Sequence, residues 1–179
     1  MPTSPLQTTQ LRDIIRYYDE TRFDYQVAWL NEDNQAVHFG FYDRRHCTHN
    51  QALLNTNQIM AARGKVEPGQ HVLDAGCGNG GSSLWLAAQK SVCATGITPV
   101  ATQVATAEKQ ASERKLTHLC HFIEGDYCQV PLEDNSVDVI WACESLCHAA
   151  DKAAFYQEAA RLLKPGGRMV IAEYIRYQR

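Results

Sequence analysis

Asp74-Ala75-Gly76-Cys77-Gly78-Asn79-Gly80-Gly81 follows the apolar stretch His71–Ala75 and precedes a helical pattern over residues 82–89. Its glycines let the backbone turn tightly and approach a ligand closely, and the helix N-terminus that follows offers unpaired N–H groups. Such a loop belongs at the first strand-to-helix handover of a doubly wound α/β sheet. Two readings are open. Gly76, Gly78 and Gly81 fit the dinucleotide pattern G-x-G-x-x-G, while Asp74 onward fits D-x-G-x-G-x-G. An acid ahead of the first glycine faces a pyrophosphate unfavourably but suits an ammonium and a sulfonium. A dinucleotide site also expects an acid at the end of strand two, and here that strand ends in Gly96-Ile97-Thr98.

The chain beyond residue 60 alternates short apolar strands with helices. Strands are expected at 71–75, 92–97, 118–124, 137–141 and 169–172. A helix is expected around 82–89, and another with Val100, Val104, Ala107 and Ala111 as its apolar stripe. A third carries Phe155, Ala159, Leu162 and Leu163, with Asp151 placed to cap it. Lys164-Pro165-Gly166-Gly167 is expected to stop that helix. This βαβ alternation implies a parallel Rossmann-like sheet of about five strands.

Residues 1–60 read as a helical cap segment ahead of a core at 61–179. Leu11, Ile14, Ile15 and Tyr18 recur at helical spacing, and Val27 and Leu30 suggest a second piece. A further helix from about Asn50 carries Leu53, Leu54, Ile59 and Met60, with Gly64 placed to end it.

Composition narrows the function. A formal charge of −3 over 179 residues lacks the basic footprint of a nucleic-acid binder. No apolar run reaches the roughly 18–20 residues that cross a bilayer, and Met1–Pro5 does not read as a signal peptide. The seven cysteines are odd in number and contain no C-x-x-C, so neither a disulfide framework nor a metal site is expected. A reduced cytoplasmic protein is expected.

Val72–Ser83 resembles the first motif of class I S-adenosylmethionine-dependent methyltransferases, and Leu163–Gly167 resembles the turn before their fifth strand. The closer resemblance is to tocopherol methyltransferases, sterol side-chain methyltransferases and cyclopropane fatty acid synthases. It is carried by Gly96-Ile97-Thr98 with Gln103, by His38–Asp43 with Thr48-His49, and by Glu144–Ala149. The resemblance implies S-adenosylmethionine as co-substrate, S-adenosylhomocysteine as product, and a small apolar acceptor that is prenyl-, sterol- or quinol-like.

It also implies roles. Asp74, Gly76, Cys77 and Gly78 face the donor's methionine end, as does Cys143. Thr98 and Gln103 meet the ribose, and Asp126 with Tyr127 meets the adenine. Glu144 and His148 are the candidate catalytic pair, four residues apart and on one face if that segment is helical. His148 would serve as base toward an oxygen or nitrogen nucleophile, and Glu144 would stabilise a carbocation from an alkene. Tyr17, Tyr18 and the aromatics at 39–42 would close over the donor or line an acceptor pocket. Family members continue with two further strands. The chain therefore reads as C-terminally truncated, with an edge on strand five open to a second copy. A donor-binding fragment without turnover is the competing expectation.

Overall fold

The computed structural model describes residues 12, 13, 15–17, 20, 21 and 38–174. The helical pieces expected around Leu11, Ile14, Tyr18, Val27 and Leu30 lie outside those residues, though Arg12, Asp13, Ile15–Tyr17 and Glu20 are helical. The first long helix, α1, spans His49–Arg63. Thr48 caps it in a reciprocal box, its hydroxyl accepting the Gln51 N–H while the Gln51 side chain takes the Thr48 N–H. Alternation then runs β1 (His71–Ala75), α2 (Gly81–Lys90), β2 (Cys93–Thr98), α3 (Ala101–Glu113), β3 (Cys120–Glu124), β4 (Val137–Cys143), α4 (Lys152–Leu162) and β5 (Leu163–Ala172).

The strands form one sheet in the order β3-β2-β1-β4-β5, and every neighbouring pair is parallel. Alternation along each strand sends side chains to opposite faces. Leu73, Ala75, Ile140 and Ala142 meet Phe155, Ala159 and Leu162 of α4 on one side. Val72, Val139, Trp141 and Val170 meet Met60 and Ala61 of α1 and Leu86 of α2 on the other. Ala94 and Cys120 complete that second face against Leu84 and Ala87 of α2 and Ala111 of α3. At the foot of the sheet, Asp138 Oδ2 accepts both the His71 N–H and the Lys164 ammonium at 2.8 Å.

Two boundaries differ from expectation. Strand three begins at Cys120 because the Leu119 and Cys120 N–H groups both turn back to the Leu116 carbonyl. Strand five is bounded at Leu163 rather than Met169, yet α4 does end at Leu162 as expected, and Lys164–Gly167 pair with no residue of β4. Leu163 turns extended immediately after α4 (φ −69°, ψ 130°) and pairs with Val137. The register then shifts between Val137 and Val139, with Gly166 at φ +80°. Asp151 caps α4 as expected, accepting the Ala154 N–H at 3.0 Å.

Candidate active site

The strand order reverses between β1 and β4, and open α/β sheets bind ligands outside the carboxyl ends of strands at that point. A cavity of about 1040 Å³, open mouth included, lies there. Asp74, Gly76, Cys77 and Gly78 line it from the end of β1 and the loop after it, Thr98 from β2, Gln103 from α3, Asp126 and Tyr127 from beyond β3, Cys143 from the last residue of β4, and Glu144 and His148 from beyond it. One cavity thus brings together every residue singled out for the donor and the catalytic pair.

The glycine loop has a defined polarity. The N–H groups of Gly76 and Cys77 both donate to the Ile97 carbonyl, at 2.9 and 3.0 Å, and the Gly80 N–H donates to the Cys77 carbonyl. Those three donors are therefore not offered to a ligand. Gly76 sits at φ +88°, and a Cβ there would run into Ser145. Gly96 is a glycine for a related reason, since a Cβ would lie 2.8 Å from Cys77 Sγ.

Asp74 is 2% exposed. Its Oδ2 accepts the Ser83 hydroxyl at 2.7 Å, and the Ser83 backbone N–H also bonds it. The carboxylate thereby caps α2, whose N-cap residue Gly80 has no side chain to do so. Burial raises its pKa to about 6 against these bonds. Burial also pushes the Cys77 and Cys143 thiols well up, keeping both as neutral thiols.

Thr98 and Gln103 are both buried and bond each other, the Thr98 hydroxyl donating to Gln103 Oε1 at 2.6 Å. Asp126 Oδ1 accepts the Cys128 N–H at 2.8 Å and so shapes its own turn. The Tyr127 hydroxyl donates to the Ser145 carbonyl at 3.0 Å, and its ring meets Phe155 edge-on with centroids 5.4 Å apart.

Beyond β4 the expectation of a shared helical face fails. The segment forms a single 3₁₀ turn at Leu146–His148, and Glu144 sits before it at φ +53°. Glu144 also caps no helix. Its carboxylate accepts the Phe39 N–H at 3.0 Å (Oε1) and 3.1 Å (Oε2), and the Tyr174 hydroxyl at 2.8 Å. Burial lowers the His148 and His38 pKa values below 6.5, so both imidazoles are neutral at pH 7. Asp74, Asp126, Glu144 and Asp151 line the cavity, and its lining among the described residues includes no lysine or arginine. That electrostatic balance favours a cation.

The aromatics expected over the donor turn outward instead. Phe39, Phe41 and Tyr42 are each more than half exposed and Tyr17 nearly so, while Tyr18 lies outside the described residues. From this segment it is His38, buried, that lines the cavity. Sequence reasoning also missed Ser145, whose hydroxyl donates to the Ala75 carbonyl at 2.5 Å and ties the ends of β4 and β1 together. It missed Ser82, which bonds Asn57 of α1 at 3.1 Å. Nothing in their local pattern marks these residues, because their partners lie far off in sequence. Among the described residues, no three His, Cys, Asp or Glu side chains are grouped to hold a metal ion.

Residues 73–171 match the model of a family described as a methyltransferase domain. A 27-O-demethylrifamycin SV methyltransferase from Amycolatopsis mediterranei is 32% identical over 141 residues, covering 79% of this chain and 52% of that protein. A sterol 24-C-methyltransferase from Schizosaccharomyces pombe is 31% identical over 160 residues, covering 89% of this chain and 41% of the relative. The solved structure of the [4+2]-cyclase SpnF superposes with a TM-score of 0.82 at 31% identity, covering 97% of this chain and 61% of that one. The chain spans about half the length of the curated relatives it matches. With the family model matched over more than half its residues and the sheet order, glycine loop and cavity in agreement, the chain belongs to the methyltransferase domain family.

Proposed function

We propose that this chain binds S-adenosylmethionine in the cavity at the β1/β4 switch point and supports methyl transfer from it to a small, apolar organic acceptor, releasing S-adenosylhomocysteine. The acceptor class is prenyl-, sterol- or quinol-like, in line with the sterol enzyme among its relatives. The observation that carries the reading is the polarity of the glycine loop. With the Gly76 and Cys77 N–H groups held by Ile97, the acid that lines the cavity from β1 is the buried Asp74, and a carboxylate there suits an ammonium and a sulfonium. The same arrangement, with no acid at the end of β2, disfavours a nicotinamide dinucleotide.

The donor supplies an electrophilic methyl on a sulfonium that is already a good leaving group. What the chain contributes is alignment and proton handling. In this reading Gly76, Cys77, Gly78 and Cys143 border the methionine end. The Thr98 hydroxyl holds the Gln103 carbonyl, which directs the Gln103 amide nitrogen toward the ribose oxygens. Asp126 uses one oxygen for its turn and offers the other to the adenine amine, next to Tyr127. His148, neutral at pH 7, takes the proton from a hydroxyl or amine acceptor. For an alkene acceptor, the Glu144 carboxylate stabilises the cation that methylation creates.

We read residues 1–60 as a cap on the core at 61–179, in keeping with α1 packed on α2 and β5. No described helix is long and apolar enough to cross a membrane, and the seven cysteines stand unpaired, which supports assignment to the cytoplasm. β5 is an edge of the described sheet, and pairing there with a second copy is tested by light scattering after gel filtration.

Calorimetry with S-adenosylhomocysteine, followed by native mass spectrometry of the purified protein for retained donor and acceptor, tests the reading. Micromolar binding is the expected result, and no heat at high micromolar ligand overturns it. A second reading, donor binding without turnover, is favoured by the relatives being about twice as long. Binding without product formation from a panel of prenyl and sterol acceptors distinguishes it.

A further inference from the structure

Glu173 follows the last residue of β5, is half-buried and lies outside the lining of the cavity. From there the chain after β5 stays bonded to the chain after β4. Cys143 pairs with Ala172 in the ladder, and the Glu144 N–H donates to the Ala172 carbonyl at 2.7 Å. The Cys147 N–H then donates to Glu173 Oε2 at 2.9 Å. That last bond falls on the 3₁₀ turn Leu146–His148, whose own N-cap, Ser145, gives it no side-chain bond. Glu173 thus caps, from a distant segment, the turn that carries His148. Its other oxygen accepts the Tyr174 N–H at 3.1 Å, so both ends of the carboxylate are held.

The same bond puts a carboxylate beside His148, which itself lines the cavity. Burial lowers the His148 pKa, and the Glu173 carboxylate raises it in opposition. Asp126, Glu144 and Asp151 line the cavity with His148. The Cys147 thiol and the Tyr127 and Tyr174 phenols feel the Glu173 carboxylate too. Burial raises all three, and they stay neutral near pH 7.

We propose that Glu173 is the positioning residue of His148: it fixes the turn that bears the imidazole and stabilises the imidazolium formed when His148 takes a proton from a hydroxyl acceptor. The proposal rests on the reading of the cavity as a methyl-transfer site. In that transfer the oxygen–methyl bond forms as the donor's carbon–sulfur bond breaks. The electron pair returns to sulfur, and the hydroxyl proton passes to His148. A base that becomes cationic in a half-buried site is weak unless a fixed anion meets the new charge. Glu173 supplies that anion without entering the cavity.

Proton NMR of the whole chain follows the His148 ring, identified as the histidine signal missing from His148→Asn. Glu173→Gln keeps an oxygen that can accept the Cys147 N–H and removes only the charge. In that variant His148 titrates at lower pH than in the wild type. A carboxylate that merely held the turn would leave the titration where it was, and an unmoved titration overturns the proposal. Should Glu173→Gln fail to fold, the isotope-labelled Glu173 carboxyl carbon of the wild type decides. Its resonance moves over the pH range in which His148 titrates and stops doing so in His148→Asn; indifference to that range overturns the proposal. With a hydroxyl acceptor, kcat/KM of Glu173→Gln falls at least about threefold, and its acid limb moves down with the His148 titration. S-adenosylhomocysteine affinity stays unchanged. A wild-type rate and limb in Glu173→Gln overturn the proposal. Failure of the wild type to turn over any acceptor counts against the methyl-transfer reading alone, and the titration still decides the pairing of Glu173 with His148.

Discussion

The Glu144 carboxylate accepts the main-chain N–H of Phe39 at 3.0 Å, joining residues 105 positions apart. That bond fastens the segment before α1 to the end of β4, at the rim of the cavity. The Glu144 carboxylate thus has a structural task at this position, whatever its part in chemistry.

Asp74 makes donor binding and stability respond to pH in opposite senses. Its folded pKa of about 6 is raised from 3.8, so between those values the folded chain holds more protons than the unfolded one. Its contribution to stability is therefore greatest at acid pH, falls as pH rises toward about 6, and is level above that. Donor affinity does the reverse, because the protonated acid no longer attracts the cation. Asp74→Asn is expected to flatten this part of the urea-midpoint profile and to weaken S-adenosylhomocysteine at least tenfold at pH 7, measured by calorimetry.

His148→Asn is expected to lower the turnover of a hydroxyl acceptor by roughly 10²–10⁴-fold, the usual contribution of a general base. Donor affinity should change by less than about threefold. Because burial depresses the imidazole pKa, the wild-type rate rises with pH through a value below 6.5 and then levels. Loss of that limb in the variant, read from the pH dependence of kcat/KM, checks the assignment.

Gly76→Ala combines a Cβ at φ +88° with a collision at Ser145. Both act at the junction of β1 and β4, where the backbone has no slack. The expected loss is about 2–4 kcal/mol in chemical unfolding, from a left-handed non-glycine residue plus overpacking. By contrast Gly69, also at positive φ, has nothing within 4 Å of its would-be Cβ, and Gly69→Ala is expected to cost only about 1 kcal/mol.

Thr98→Val removes the hydroxyl that holds Gln103 and leaves a buried carbonyl without that partner. A loss of about 1–3 kcal/mol is expected from the unsatisfied acceptor. S-adenosylhomocysteine should bind about tenfold more weakly, because the Gln103 amide is no longer directed. Thr98→Ser keeps the hydroxyl and should retain most of the affinity, as calorimetry of the two variants would show.

Much of this site was legible because it depends on local chemistry. Asp74 and the glycines after it advertise a strand-to-helix turn, and Thr98, Asp126 and Cys143 follow strands that their own apolar runs identify. Because all five strands run parallel, their carboxyl ends gather at one end of the sheet. Other parts are long-range and leave no local trace. Ser145 looks like any loop serine until Ala75 is seen beside it, and the Glu144–Tyr174 pairing spans β5. The reading of Glu144 and His148 as helical neighbours failed because Glu144 enters the left-handed region and breaks the helix before it starts. Lys164-Pro165-Gly166-Gly167 was legible as the end of α4, which closes at Leu162, but not the extended Leu163 before it, whose partner Val137 lies far off in sequence.

The Ile97 carbonyl, by taking the N–H groups of both Gly76 and Cys77, also bears on how readily such a domain can change its ligand. Two N–H groups of the loop are committed to β2 by the backbone, whatever side chains surround the pocket. Freeing them would mean parting the loop from β2, a step beyond the reach of a single side-chain substitution. Side chains at the rim can therefore vary while the floor of the pocket keeps its backbone form.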